Sequence, residues 1–85
     1  MIIRVKIPYG HISVDLDVLI AQTGTVYDRK YRRIAFKLPQ AKKLCQLIIR
    51  YGDEETLRKT NDAIRECKNE KLRKIWSAAW EKWRN

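Results

Sequence analysis

Three polar residues near the start of the chain have the side chains of a hydrolytic triad. His11, Ser13 and Asp15 occupy every second position, and these residue types can act together as base, nucleophile and orienting acid. On a strand, residues two apart stand about 6–7 Å from each other with nearly parallel side chains, so a relay of hydrogen bonds does not form. No glycine loop accompanies them, and the chain has one histidine. The pattern therefore predicts a solvent-facing strand, and we expect no catalytic residues.

The two cysteines are the remaining candidates for metal or redox chemistry. Cys45 and Cys67 lie among apolar neighbours at positions that fit helices. Neither forms a C-x-x-C pair or has a histidine close by in the sequence, which are the patterns typical of zinc and redox sites. We expect buried, reduced thiols, with a disulfide between two helices as the alternative, and we expect no metal and no cofactor.

Charge is distributed very unevenly along the chain. Residues 1–28 carry two basic and three acidic side chains, a net charge of −1, and residues 53–85 carry nine basic and seven acidic ones, a net charge of +2. The segment from Arg29 to Arg50 carries eight basic residues and no acidic one, so it holds +8 of the total of +9. Like charges packed together repel unless an anionic partner neutralises them. The segment therefore predicts a negatively charged partner.

Aromatic and basic side chains are interleaved at the start of this segment. Guanidinium groups make bidentate contacts to phosphate, and tyrosine rings stack on bases. Two lysines on the following helix extend the basic track. The residues predicted to contact nucleic acid are Tyr27, Arg29, Lys30, Tyr31, Arg32, Arg33, Lys42 and Lys43. The alternative is a solvated basic loop that only keeps the protein soluble.

Three tryptophans lie close together near the end of the chain. Trp76, Trp80 and Trp83 fall within about 60° of each other at the 100° per residue of a helix. They complete the core under one interpretation, and under another they bind a partner protein, because exposed tryptophans dominate many interfaces. Attachment to a membrane surface is a third possibility, which Glu81 and the mixed charges before it disfavour.

Two alternating stretches predict an antiparallel hairpin. Apolar side chains recur at every second position over residues 3–7 and again over residues 12–20, with a Pro-Tyr-Gly break between them. The basic side chains of the first strand are expected to face Asp15 and Asp17 on the second, because opposite charges across strands stabilise one register.

The region after the hairpin allows two interpretations. A Thr-Gly-Thr turn at residues 23–25 precedes a third alternating stretch, which predicts a strand over residues 31–38. A helix-turn-helix over residues 19–34 is the alternative, with a basic second helix. That motif requires a small residue four positions before the turn glycine, where this chain has Ile20, so the strand is favoured.

The second half of the chain is expected to be helical. Pro39 suits a first helical turn, and Gly52 follows the last apolar residue of a three-and-four pattern, which predicts a helix over residues 39–52. A single helix over residues 53–84 would be nearly 50 Å long, whereas a domain of this length is only about 30 Å across. We therefore expect a break near residues 60–61 or 68–69, or a projecting helix that forms a homodimer.

These elements predict an α+β fold. We expect a single domain over residues 1–85, with a small antiparallel sheet of about three strands over residues 1–38 and two to three helices packed on one face. No apolar run approaches the ~20 residues that span a bilayer, and no secretory leader pattern opens the chain. We therefore expect a cytoplasmic protein with no membrane partner.

The leading hypothesis for function is a small basic nucleic-acid-binding protein without enzymatic activity. The alternative is a protein-interaction module or inhibitor, for example a phage or mobile-element protein that docks on and blocks a larger nucleic-acid-binding or nuclease protein. The sequence does not distinguish DNA from RNA, and a homodimer through the C-terminal helix is compatible with either function.

Overall fold

Two strands and four helices follow one another in the computed structural model, which describes residues 1–24 and 37–84. The elements are β1 (Ile2–Ile7), β2 (Gly10–Asp15), α1 (Leu16–Gln22), α2 (Leu38–Tyr51), α3 (Glu54–Glu66) and α4 (Glu70–Arg84). The fold is α+β, as expected. The described ranges contain two strands, and residues 31–36 of the predicted third strand lie outside them.

The two strands form the expected antiparallel hairpin. Ile3 pairs with Val14 and Val5 pairs with Ile12, so these four side chains share the face that packs on the helices. Gly10 has a φ of +140°, a conformation that side-chain-bearing residues rarely adopt, and it starts the second strand directly after the turn. The apolar alternation therefore specifies both the hairpin and its buried face.

The expected charge pairing across the hairpin is wrong. Arg4 lies opposite Ser13, and Lys6 lies opposite His11. The carboxylate of Asp17 instead contacts the Met1 ammonium group, and that of Asp15 lies 3.8 Å from it. The register follows burial of the apolar face, because misplacing those side chains would cost more than a surface ion pair contributes.

The second strand is shorter than predicted, because residues 16–22 form a helix. The Asp15 carboxylate accepts a hydrogen bond of 3.0 Å from the Asp17 backbone N–H and so caps α1. Leu16 and Leu19 are both fully buried. Together with Ile20 they also fit a spacing of three and four, so the alternation alone could not exclude a helix. Of the helix-turn-helix alternative, residues 25–34 lie outside the described ranges.

The predicted helix over residues 39–52 is confirmed with a shift of one residue. Leu38 is its first residue, so the end of the predicted third strand belongs to α2. The Gln40 side chain accepts a hydrogen bond of 3.1 Å from the Lys37 backbone N–H, which precedes the helix. After Tyr51, the Gly52 N–H donates to the Ile48 carbonyl and ends the helix.

The break that chain length requires lies between α3 and α4, at residues 67–69. It confirms the second of the two predicted positions. Asp53 caps α3, because its carboxylate accepts a 2.7 Å hydrogen bond from the Thr56 N–H. Asn69 caps α4 in the same way, with a 3.1 Å bond from the Leu72 N–H. The two helices therefore fold back within a domain whose longest dimension is 39 Å.

One hydrophobic core joins all six elements. Its largest fully buried apolar side chains come from the first strand and from every helix, namely Val5, Leu16, Leu19, Ile48, Ile49, Ile64 and Leu72. The small Ala41 and Ala79 are also buried in this core, and small side chains let helices approach closely. Helices α2 and α4 pack side by side, which leaves their outward surfaces next to each other. No helix within the described ranges is long and apolar enough to cross a membrane.

Candidate functional site

A groove of about 350 Å³ runs along the junction of α2 and α4. Helix α2 contributes Lys42 and Gln46 to it. Helix α4 contributes two parallel rows of side chains, each spaced by four residues: Lys74, Ala78 and Lys82, and Ile75, Ala79 and Trp83.

The spacing of these α4 residues explains the shape of the groove. Side chains four apart stack along one side of a helix, so each row forms a ridge. The middle member of both ridges is an alanine, Ala78 in one and Ala79 in the other, and the missing side-chain volume leaves the depression. The result is an apolar strip with lysines on both sides, Lys42 from α2 and the Lys74 and Lys82 pair from α4.

A second depression of about 510 Å³ continues the same surface toward the start of α2. Leu38 and Pro39 provide its apolar wall, and Lys71 adds another cation. It shares Lys42, Lys74 and Ile75 with the first groove, so the two form one surface.

Trp83 lies at the far end of this surface and is 36% exposed. The Arg50 guanidinium carbon lies 4.7 Å from the centroid of its ring, and the Lys82 ammonium nitrogen lies 5.3 Å from it. Both distances fall within the range of cation–π contacts. Arg50 therefore joins the four lysines in what we call the cationic face, which consists of Lys42, Arg50, Lys71, Lys74 and Lys82.

The cations of the cationic face form no ion pairs within the described residues. Ion pairs within residues 1–24 and 37–84 involve Lys59, Arg84 and the Met1 ammonium, and none involves a residue of the cationic face. The two carboxylates of α4, Glu70 and Glu81, line a neighbouring hollow together with Lys74 and Arg73. The face therefore presents five exposed cations to solvent, bounded by acidic residues along one flank.

Only part of the predicted nucleic-acid contact set can be placed. Lys42 lines both depressions. Lys43 is exposed on α2 but lines neither of them. The other six residues lie outside the described ranges, namely Tyr27, Arg29, Lys30, Tyr31, Arg32 and Arg33.

The sequence interpretation missed three lysines on α4, at positions 71, 74 and 82. Their segment has almost balanced charge, and this concealed them. At 100° per residue they fall within about 80° of each other, so a helical projection of residues 70–84 would have placed them on one side.

The three tryptophans have different environments. Trp76 is 3% exposed, and its indole N–H donates a 3.1 Å hydrogen bond to the Asn61 side-chain oxygen. Trp80 is half-buried and packs 6.0 Å from Trp76, centroid to centroid. The predicted role in partner contact is therefore corrected for Trp76, which completes the core, while Trp83 has the accessible ring.

The candidates for other chemistry are placed as follows. His11 and Ser13 are exposed on β2. Both cysteines are free thiols and not the disulfide of the alternative interpretation. Burial raises the pKa of the Cys45 thiol to about 12, and Cys67 is half-buried, with its Sγ donating to the Ile64 carbonyl. Within the described ranges, no group of three or more His, Cys, Asp or Glu side chains could hold a metal ion.

Comparison with known proteins adds no assignment. No protein-family model matches the chain, and no curated protein or solved structure shows significant similarity to it. The candidate site therefore depends on its geometry and charge.

Proposed function

We propose that this chain is a cytoplasmic, non-enzymatic nucleic-acid-binding protein whose cationic face contacts phosphates. The observation that supports this proposal most directly is the convergence of five exposed cations, from two helices, on one surface without paired carboxylates. Lysine and arginine contacts to phosphate provide affinity and orientation but little sequence information. The expected binding is therefore strong at low salt and nearly independent of base sequence.

The number of cations sets the expected salt dependence. Each phosphate that is neutralised releases condensed counterions, so the logarithm of the binding constant falls linearly with the logarithm of salt concentration. With five contacts, the slope is about −3.5 for a single strand and about −4.5 for a duplex. Between 50 and 200 mM salt, a slope of about −3.5 corresponds to an affinity loss of roughly 100-fold.

Fluorescence anisotropy with a labelled oligonucleotide at several salt concentrations tests the proposal. The test variant replaces Lys42, Lys74 and Lys82 with glutamine, which leaves their size nearly unchanged. Loss of three contacts should weaken binding and bring the single-strand slope from about −3.5 to about −1.4.

The matched control replaces three exposed cations elsewhere, Arg4, Lys6 and Arg65, with glutamine. Both triple variants have a net charge of +6, obtained as +9 − 3. The control should keep its slope within about 0.7 of that of the parent, the change expected from a single contact. Equal weakening of the two variants would show that net charge, and not this face, governs binding, and the proposal would then be wrong.

A second candidate function is a protein-interaction module that docks on an acidic surface of a larger nucleic-acid-binding or nuclease protein. The specific observation in its favour is the apolar strip of Ile75, Ala79 and Trp83 between the lysines, because apolar anchors surrounded by charge are typical of protein interfaces. An acidic amphipathic helical peptide should then shift Trp83 emission at concentrations where oligonucleotides do not bind. A homodimer through α4 is compatible with either function, and light scattering would detect it.

A further inference from the structure

We infer that the nucleic acid bound at the cationic face is single-stranded, with an unpaired base packed on Trp83 and the neighbouring apolar strip. This inference rests on the proposed function and specifies the kind of nucleic acid. Two features of the surface support it: the apolar strip between the cations and the exposed Trp83 ring with Arg50 over it.

The first feature is the position of the apolar strip. Lys74 and Lys82 lie eight residues apart on α4, about 12 Å along its axis at ~1.5 Å per residue, and Ile75 and Trp83 run parallel to them one position along. A duplex keeps its base faces inside and presents phosphates and groove edges. It would use the lysines but leave the apolar strip without a partner. A single strand presents phosphates and base faces together, which matches lysines beside an apolar strip.

The second feature is the exposed ring of Trp83. Single-stranded nucleic acids bind proteins largely by stacking bases on aromatic rings and on arginine guanidinium planes. The Arg50 guanidinium carbon lies 4.7 Å from the Trp83 ring centroid, so a cation–π contact is already present at the surface. Because Trp83 is 36% exposed, an unpaired base can pack on the open part of its ring, beside Arg50, while neighbouring phosphates contact Lys82.

Three labelled probes with equal numbers of phosphates per strand test the inference by anisotropy. They are a 12-nucleotide thymidine oligomer, an abasic 12-mer with the same backbone, and a 12-base-pair duplex. We expect the thymidine oligomer to bind about 5- to 150-fold more tightly than the abasic strand, the range for one stacked base. It should also quench Trp83 emission, which the abasic strand should not do.

The variant Trp83→Leu keeps an apolar side chain but removes the aromatic ring. It should lose the preference for thymidine over abasic backbone and retain the binding of the abasic strand. Trp80→Phe is the matched control on the same helix, because Trp80 is half-buried against the core, and it should keep the preference. A second variant, Ala78→Gln, fills the groove from an exposed position and should reduce the preference without affecting the fold.

Each remaining outcome contradicts a definite part of the reasoning. Equal affinity for the thymidine and abasic strands would overturn the inference and leave the proposed phosphate contacts intact. Tighter binding of the duplex than of the single strand would do the same. Absence of binding to all three probes, together with quenching of Trp83 by an acidic amphipathic peptide, would overturn both the inference and the proposed function in favour of a protein partner.

Discussion

The side chain of Asn69 should contribute more to stability than its half-buried position suggests. Its amide nitrogen donates hydrogen bonds of 2.8 Å to the Ile20 carbonyl and 3.1 Å to the Thr23 carbonyl, at the end of α1. Its oxygen accepts a 3.1 Å bond from the Leu72 N–H, in the first turn of α4. One side chain therefore connects the end of one helix to the start of another that lies more than 40 residues away in sequence.

The substitution Asn69→Ala removes all three hydrogen bonds. Each contributes about 0.5–1.5 kcal/mol net, and the partial exposure of the site favours the lower half of the summed range. We therefore expect a loss of about 2–3 kcal/mol in the free energy of unfolding. For a domain of this size, that loss lowers the thermal midpoint by roughly 10–20 °C.

Two further substitutions separate the contributions. Asn69→Ser keeps a capping oxygen for α4 but loses the two donors to α1, so its effect should be smaller than that of alanine. Asn69→Asp also keeps the cap, but it places a carboxylate against two carbonyl oxygens. Its destabilisation at neutral pH should therefore exceed that of serine.

Urea and thermal denaturation followed by circular dichroism measure these differences. Ser77→Ala on the exposed surface of α4 is the reference substitution, with an expected effect below about 0.5 kcal/mol. The reasoning fails if Asn69→Ala lies within about 0.5 kcal/mol of that reference, because the three hydrogen bonds would then contribute nothing beyond their exchange with water.

Further predictions concern acid stability, thiol reactivity and fluorescence. Hydrogen bonds from Thr56, chiefly from its backbone N–H, lower the pKa of the Asp53 carboxyl. The ionised carboxylate therefore stabilises the folded protein above the unfolded-state pKa near 4, and this stabilisation is lost as pH falls through the folded-state pKa. The thermal midpoints of the parent and of Asp53→Asn, which still caps the helix, should therefore converge as pH falls from 5 to below 3. Because Cys45 is fully buried, and burial raises its pKa to about 12, a Cys67→Ser variant should react with a disulfide reagent at pH 8 only as fast as it unfolds, and faster labelling would contradict the buried position. Acrylamide should quench a fraction of the tryptophan emission, and Trp83→Phe should reduce that fraction to what half-buried Trp80 contributes, whereas an unchanged quenching profile would show that Trp83 is not the most accessible indole.

Local signals in the sequence were sufficient where burial and backbone chemistry agreed. Alternation on both strands predicted the hairpin, because one apolar face must be buried. Pro39 and Gly52 predicted the limits of α2 to within a residue. Pro39 lacks an N–H that the first turn does not need, and Gly52 readily ends a helix. The break between α3 and α4 followed from the dimensions of a small domain and not from any local signal.

The sequence was less informative where one residue set fits two periodicities. Leu16 and Ile20 continue the alternation of β2, and with Leu19 they also fit a helical face. The decision depends on the capping bond from the Asp17 N–H to Asp15 and on burial of both leucines against elements that lie far away in the chain. Such contacts form only in the folded protein, so the periodicity of apolar residues in the sequence cannot decide between strand and helix here.

Charge summed along the sequence also misses residues that come together only on folding. The folded protein therefore points to a different surface for an anionic partner. Summing charge along segments assigned nearly all of it to residues 29–50, because seven acidic residues offset most of the nine basic residues within residues 53–85. In the folded protein, positive charge is concentrated on one surface and not in one segment. Lys71, Lys74 and Lys82 lie on one side of α4, next to Lys42 and Arg50 of α2. Electrostatic attraction depends on the distance between charges and not on their order in the chain. A polyanion therefore does not need the cations at positions 29–33 in order to bind, since the cationic face alone gathers five charges around an apolar strip.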